Sequence, residues 1–139
     1  MDVKRIEKMV TERGKAFKIL IVDDEPRIRE IFRDFCELTN SVEVDLAENG
    51  ADAVSKVENS NYDLVTMDLI MPEMAGVEAV SRIKNIRPHL PVIVITGNAT
   101  ERLVNQVGVK GASSILYKPV LLDNFIDEVV STLERSSSR

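Results

Sequence analysis

Five short apolar runs, each followed by an amphipathic stretch, constrain the fold of this chain more than any other feature. Four runs are almost continuously apolar and mostly rich in β-branched residues, which is typical of strands buried on both faces of a parallel sheet. They cover residues 17–22, 63–67, 91–95 and 113–117. The fifth run, 42–46, alternates apolar with acidic residues. This alternation indicates one solvent-facing side and a position near a sheet edge.

The segments between these runs carry apolar residues at the three- and four-residue spacing of helices. The clearest examples are 28–38, with Pro26 suited to the first helical turn, and 122–133. A strict alternation of strand and helix predicts an α/β fold, a doubly wound five-stranded parallel sheet with helices on both faces. If its order is 2-1-3-4-5, as in flavodoxin-like folds, the order reverses between the first and third strands.

The chain of 139 residues corresponds to a single domain, and the strand–helix pattern spans residues 17–134. Two ends lie outside this pattern. Residues 1–16 could be an extra helix, a linker or a remnant of cloning, and their apolar residues at helical spacing favour a solvated helical extension. Residues 135–139 are rich in serine and predict a disordered tail.

Charge and composition exclude several classes of protein. The net charge of −5, without a long basic run, argues against direct nucleic acid binding by this chain. No apolar run approaches the roughly 18 residues of a membrane span, and no apolar core follows the basic residues near the N-terminus. The only cysteine, Cys36, lies in an apolar-periodic stretch, which predicts a packed thiol. We therefore expect a cytoplasmic protein without membrane insertion.

Polar side chains stand where four of the predicted strands end. These residues are Asp23 and Asp24 after the first strand, Asp68 after the third, Thr96 after the fourth and Lys118 after the fifth. Because the carboxyl ends of parallel strands share one edge, all five should meet at one rim. In open α/β sheets, ligands bind at this rim where the strand order reverses.

The chemistry of these residues indicates a phosphate held against a cation. Two adjacent carboxylates repel by about 4 kcal/mol at 4 Å and an effective dielectric near 20, so a counter-charge is expected. Mg²⁺ binds one or two carboxylates and completes its shell with water or phosphate oxygens. Taken singly, Asp24 could be a helix N-cap and Lys118 a solvated side chain. Their convergence on one rim favours a shared site.

The motifs "ILIVDDEP", "DLVTMDLIMPEMAG", "VIVITG" and "GASSILYKP" resemble the receiver domain of two-component response regulators, over about residues 17–134. The resemblance implies a chain that takes a phosphoryl group from a sensor histidine kinase or a histidine phosphotransferase. It would then change conformation and signal to a downstream target protein. Its only enzymatic activities would be self-phosphorylation and self-dephosphorylation.

The resemblance also implies a Mg²⁺ site. Asp24 and the phosphoacceptor Asp68 would be ligands, Asp23 would act through water, and the backbone carbonyl of Ile70 would complete the protein ligands. Because Ile70 is apolar and cannot orient an attacking water, we expect slow self-dephosphorylation.

Three further roles follow from the resemblance. Lys118 would pair with the phosphoryl group, Thr96 would donate its hydroxyl to it, and the Lys118–Pro119 peptide would be cis. The chain departs from the family's frequent pattern at Ile115, where an aromatic residue often stands three positions before the lysine. Tyr117 instead lies directly before Lys118. Partners would use the face of the last two helices and last strand, near Leu121.

Two other functions fit parts of the same pattern. One is a Mg²⁺-dependent phosphatase that forms an aspartyl phosphate, as in haloacid-dehalogenase-like enzymes. Those enzymes carry a second aspartate two residues after the nucleophile, where this chain has Ile70. The other is an adaptor that signals without phosphate, which the complete set of polar residues disfavours.

Overall fold

The computed structural model describes residues 3–69, 76–97 and 100–137. Within these residues, helices and strands alternate in sequence. In order they are α1 (Val3–Arg13), β1 (Phe17–Val22), α2 (Pro26–Glu37), β2 (Val42–Ala47), α3 (Gly50–Asn59), β3 (Leu64–Met67), α4 (Gly76–Ile86), β4 (Val92–Thr96), α5 (Glu101–Val109), β5 (Ser114–Tyr117) and α6 (Leu122–Ser137). The strands form one parallel sheet in the order β2-β1-β3-β4-β5, so the predicted fold class and strand order are confirmed.

Successive side chains of a strand point to opposite faces of the sheet, and each face carries its own apolar core. Leu20 and Val22 of β1 belong to the core that includes residues of α3 and α4. Ile19 and Ile21 belong to the core shared with α2 and α6. In the second core, the rings of Phe32 and Phe125 stack with centroids 4.7 Å apart. The helices therefore cover both faces, as the strand–helix alternation predicts.

The two edge strands differ in how well the sequence predicted them. β2 lies at one edge and has the expected mixture of buried and exposed residues. β5 lies at the other edge, and its side chains are half-buried or exposed. The prediction that 113–117 is buried on both faces is therefore wrong. An apolar run resembles a central strand in sequence, but its burial depends on neighbours that an edge strand has on one side only.

The N-terminal helix α1 packs against the domain. Ile6 is 4% exposed and belongs to the core of α2 and α6, and Arg5 forms an ion pair with Glu134 of α6. The guanidinium of Arg13 lies 4.1 Å from the centroid of the Phe17 ring. A helix within residues 1–16 is therefore found, and it is solvated on one side only, because its apolar side packs against the domain. Its apolar face is covered by surfaces that lie far away in sequence.

The C-terminal helix α6 continues to Ser137 and so extends into the segment predicted to be disordered. Arg135 donates hydrogen bonds to Glu128 and Thr132 of the same helix, which support its last turn. The prediction of disorder is therefore wrong for 135–137, and 138–139 lie outside the described residues.

Candidate functional site

Backbone hydrogen bonds extend the sheet one residue beyond its strands and thereby place the polar residues of the rim. The N–H of Asp68 donates to the carbonyl oxygen of Val22 at 3.0 Å, and Asp23 follows Val22 directly. On the other side of the rim, the N–H of Lys118 donates to the carbonyl oxygen of Thr96 at 2.9 Å. The side chains thus project from adjacent strands whose carboxyl ends lie at the same edge.

The ammonium group of Lys118 connects the two sides of the rim. Its Nζ lies 3.0 Å from Oδ2 of Asp23 and 3.4 Å from Oδ2 of Asp68. Asp23 is 1% exposed and Asp68 is 6% exposed. Burial lowers the pKa of Lys118, but the hydrogen bonds and charges of both carboxylates outweigh it, so its pKa lies above its usual value. Lys118 is therefore protonated at neutral pH.

The turn after β1 gathers three carboxylates. Ligand oxygens of Asp23, Asp24 and Glu25 all lie within 4.8 Å of one another, and Asp24 and Glu25 are exposed to solvent. Oδ1 of Asp23 accepts a hydrogen bond from the N–H of Glu25 at 3.0 Å. A cluster of hard oxygen donors, partly open to water, suits the chemistry of Mg²⁺. The predicted carbonyl ligand, Ile70, lies outside the described residues.

Thr96 occupies the end of β4, opposite Tyr117 in the register of β4 and β5. It is fully buried, beside the backbone of Lys118. The peptide bond between Lys118 and Pro119 is cis, as the resemblance implied. The backbones of Thr96 and Lys118 therefore lie across β3 from Asp23, and the side chain of Lys118 extends back to the Asp23 carboxylate.

The two residues that depart from the family's frequent pattern, Ile115 and Tyr117, differ in their exposure to solvent. Ile115 is half-buried and packs against the core of α3 and α4. Tyr117 is 56% exposed, on the edge strand β5. The aromatic side chain nearest the lysine in sequence therefore faces solvent, while an aliphatic side chain occupies the position three residues before it.

Gly76, the first residue of α4, is required by the close approach of that helix to the site. A Cβ at this position would lie 2.5 Å from the carbonyl oxygen of Asp68 and 2.5 Å from Cα of Leu69. The N–H of Gly76 also donates to the carbonyl oxygen of Leu69 at 3.0 Å. Sequence reasoning assigned no role to this residue, although a glycine at the start of a predicted helix was visible.

Arg29 is a second residue at the site that sequence reasoning missed. It lies on the buried face of α2 with Phe32 and Cys36, and its Nη1 donates to the carbonyl oxygen of Asp23 at 2.6 Å. The signal was present in the sequence, because three- and four-residue spacing places Arg29 on the same face as these apolar residues. A charged residue in that position needs a buried partner.

Comparisons with known proteins identify the family of this chain. The family model of the response regulator receiver domain matches residues 19–130. The chain is 36% identical to the chemotaxis protein CheY of Bacillus subtilis, over 85% of this chain and 98% of that protein. It is also 36% identical to the transcriptional regulatory protein ResD of the same organism, over 86% of this chain and 49% of ResD.

Solved structures show the same fold. A CheY-like receiver domain protein from Methanospirillum hungatei superimposes with a TM-score of 0.87 at 26% identity, over 89% of this chain and 98% of that chain. A chain in the CheX–CheY complex with BeF₃ and Mg²⁺ from Borrelia burgdorferi superimposes with a TM-score of 0.81 at 31% identity. That match covers 87% of this chain and 92% of the other.

The sheet order and the polar rim define a doubly wound domain with an acidic, lysine-bearing site. The chain belongs to the response regulator receiver domain family. It is the receiver domain of a two-component system, and neither the phosphatase nor the adaptor interpretation is favoured. Of the helices that the structure describes, none has the length and apolar character needed to cross a membrane.

Proposed function

We propose that Asp68 is the phosphoacceptor of this receiver domain. The observation that carries the proposal is the single ammonium group of Lys118, which contacts the carboxylates of both Asp23 and Asp68 at the rim. An oxygen of Asp68 would form the new bond to phosphorus as the bond to a donor histidine nitrogen breaks. The histidine keeps the electron pair of that bond.

The side chains on one side of Asp68 would bind the metal, and those on the other side would contact the phosphoryl group. Asp24 and Asp68 would bind Mg²⁺ directly, Asp23 would bind it through water, and the carbonyl of Ile70 would be a further ligand. Bound Mg²⁺ would neutralise negative charge on the transferring phosphoryl group. Lys118 would pair with the phosphoryl oxygens, and Thr96 would donate its hydroxyl to one of them.

Phosphorylation would add negative charge and acceptor oxygens beside Thr96 and Lys118, which would favour a conformation in which both move towards Asp68. A sensor histidine kinase or a histidine phosphotransferase would supply the phosphoryl group in the cytoplasm. A downstream protein would recognise the switched conformation at the face of α5, β5 and α6, where Leu121 is 65% exposed. The domain would signal in this way without turning over a substrate.

Incubation with acetyl phosphate and Mg²⁺, followed by measurement of the intact mass, tests the assignment of Asp68. We expect the wild-type chain to gain one phosphoryl group and the Asp68→Asn variant to gain none. Asp127→Asn is a matched control because Asp127 is an exposed acid on α6, and it should be phosphorylated like the wild type. Equal phosphorylation of the Asp68→Asn variant would contradict the proposal.

A further inference from the structure

The guanidinium group of Arg29 contacts the acidic turn through its backbone. Nη1 donates to the carbonyl oxygen of Asp23 at 2.6 Å, and both residues are buried. Nη2 faces outward, 3.9 Å from the carboxylate of the exposed residue Glu48. The buried end of this arginine is therefore engaged with a main-chain group of the turn that carries the proposed metal ligands.

Each polar group of Asp23 has a partner from a different part of the chain. Its N–H donates to the carbonyl of Ala47, its Oδ1 accepts from the N–H of Glu25, and its Oδ2 accepts from Lys118. Its carbonyl oxygen accepts from Arg29. The first three contacts hold the strand end and the carboxylate of Asp23, whereas the contact with Arg29 holds the peptide group that joins Asp23 to Asp24.

Rotation of that peptide group would change ψ of Asp23 and φ of Asp24 together. Such a change would turn the side chain of Asp24, which is exposed, whereas that of Asp23 is buried. A hydrogen bond from a buried guanidinium to a carbonyl is charge-assisted and stronger than a neutral one. Arg29 is therefore placed to fix the direction of the Asp24 carboxylate before a cation arrives.

We propose that Arg29 is a positioning residue for the Mg²⁺ site and acts through the peptide group between Asp23 and Asp24. The proposal rests on the proposed function, because Asp24 is there assigned as a direct ligand. It predicts that replacement of Arg29 weakens Mg²⁺ binding, which is opposite to the effect expected from the change in charge alone. A positive charge near the acidic cluster repels Mg²⁺, so removal of that charge alone would tighten binding. Loss of positioning weakens it.

The test compares Arg29→Gln with Arg27→Gln, which removes the same charge from an exposed position on the same helix. Mg²⁺ dissociation constants are measured by NMR titration at a temperature at which both variants are folded. We expect Arg29→Gln to bind Mg²⁺ about tenfold more weakly than the wild type, as for other residues that orient metal ligands. Arg27→Gln should bind as tightly as the wild type, or slightly more tightly.

A second readout uses the metal-free protein. The N–H of Glu25 donates a hydrogen bond to the Asp23 carboxylate. The hydrogen exchange rate of this N–H therefore reports on the order of the turn. Exchange should be faster in Arg29→Gln than in the wild type or Arg27→Gln. If Arg29→Gln does not fold, Arg29→Lys replaces it. That variant keeps the charge but loses the planar fork, so binding at least threefold weaker than wild type is expected.

The outcomes separate this inference from the proposed function. If the wild type binds Mg²⁺ and Arg29→Gln binds it equally tightly or more tightly, the positioning role is wrong and the proposed function stands. Wild-type affinity in Arg29→Lys overturns the positioning role in the same way. If the wild type itself does not bind Mg²⁺, the proposed function fails and the inference fails with it.

Discussion

At the scale of single residues, one half-buried lysine offsets part of the negative charge of the rim. Lys118 is held between Asp23 and Asp68, and its raised pKa keeps it charged at neutral pH. Its Nζ lies within hydrogen-bonding distance of one carboxylate oxygen of each of these two buried acids. We therefore expect this shared contact to stabilise the folded domain.

Replacement of Lys118 by methionine should lower the free energy of unfolding by about 1–3 kcal/mol at pH 7, because buried acceptors lose a charged donor. A pKa raised by folding means that this stabilisation is complete below the usual lysine pKa and is lost as the pH rises through the folded value. The difference between wild type and variant in urea unfolding should therefore shrink only in strongly alkaline solution. An equal loss in the exposed control Lys110→Met would contradict this explanation.

At the scale of secondary structure elements, the position of α4 depends on the absence of a side chain. Gly76 allows the first turn of α4 to contact the backbone of Asp68 and Leu69. The glycine in α5 differs, because a Cβ at Gly108 would meet nothing within 4 Å. Gly76 and Gly108 thus differ in their surroundings, and the substitution of one can serve as the control for the substitution of the other.

Gly76→Ala should destabilise the domain by about 1–3 kcal/mol, because the added Cβ overlaps main-chain atoms that cannot rotate away. It should also slow phosphorylation by acetyl phosphate, since relief of the overlap would displace the backbone of Asp68. Gly108→Ala should stabilise α5 by up to about 1 kcal/mol through helix propensity. Equal stability of the two variants in urea unfolding would show that α4 does not need this close approach.

The helix α1 provides a second prediction at this scale. Because Ile6 is buried against α2 and α6, Ile6→Ala should lower the free energy of unfolding by about 2–4 kcal/mol. Lys8→Ala, at an exposed position of the same helix, should change it by less than about 0.5 kcal/mol. Thermal and urea unfolding of both variants measure the difference. If Ile6→Ala is as stable as Lys8→Ala, α1 does not pack as described.

At the scale of the whole molecule, a cation bound at the acidic rim would stabilise the entire sheet. The carboxylates come from the ends of β1 and β3, which are central strands of the sheet. They are brought together only in the folded chain. A cation that binds the folded state and not the unfolded state must therefore stabilise the whole domain.

Mg²⁺ should raise the free energy of unfolding by about 1.4 kcal/mol when its concentration is ten times the dissociation constant. We expect this gain in the wild type and in Asp127→Asn, whose substituted acid lies on α6, and not in Asp24→Asn. The measurement is thermal unfolding over a series of Mg²⁺ concentrations. An equal gain in Asp24→Asn would mean that the cation binds elsewhere.

The sequence by itself determined the elements and the composition of the rim. The segment 17–22 was predicted as a strand and is β1, and the alternation in 42–46 correctly indicated an edge strand. The meeting of Asp23, Asp68 and Lys118 followed from the same pattern, because each stands at the end of a parallel strand. These properties depend on the local order of polar and apolar residues, which is readable along the chain.

Only the tertiary structure decided how distant segments contact one another. Three contacts join surfaces from separate elements: Ile6 docks α1, Gly76 approaches the backbone of Asp68, and Arg29 contacts Asp23. The partial exposure of β5 likewise depends on its place at the edge of the sheet. Local spacing shows that a residue lies on a buried face, but it does not show which group that face meets. The meeting depends on how the helices pack on the finished sheet.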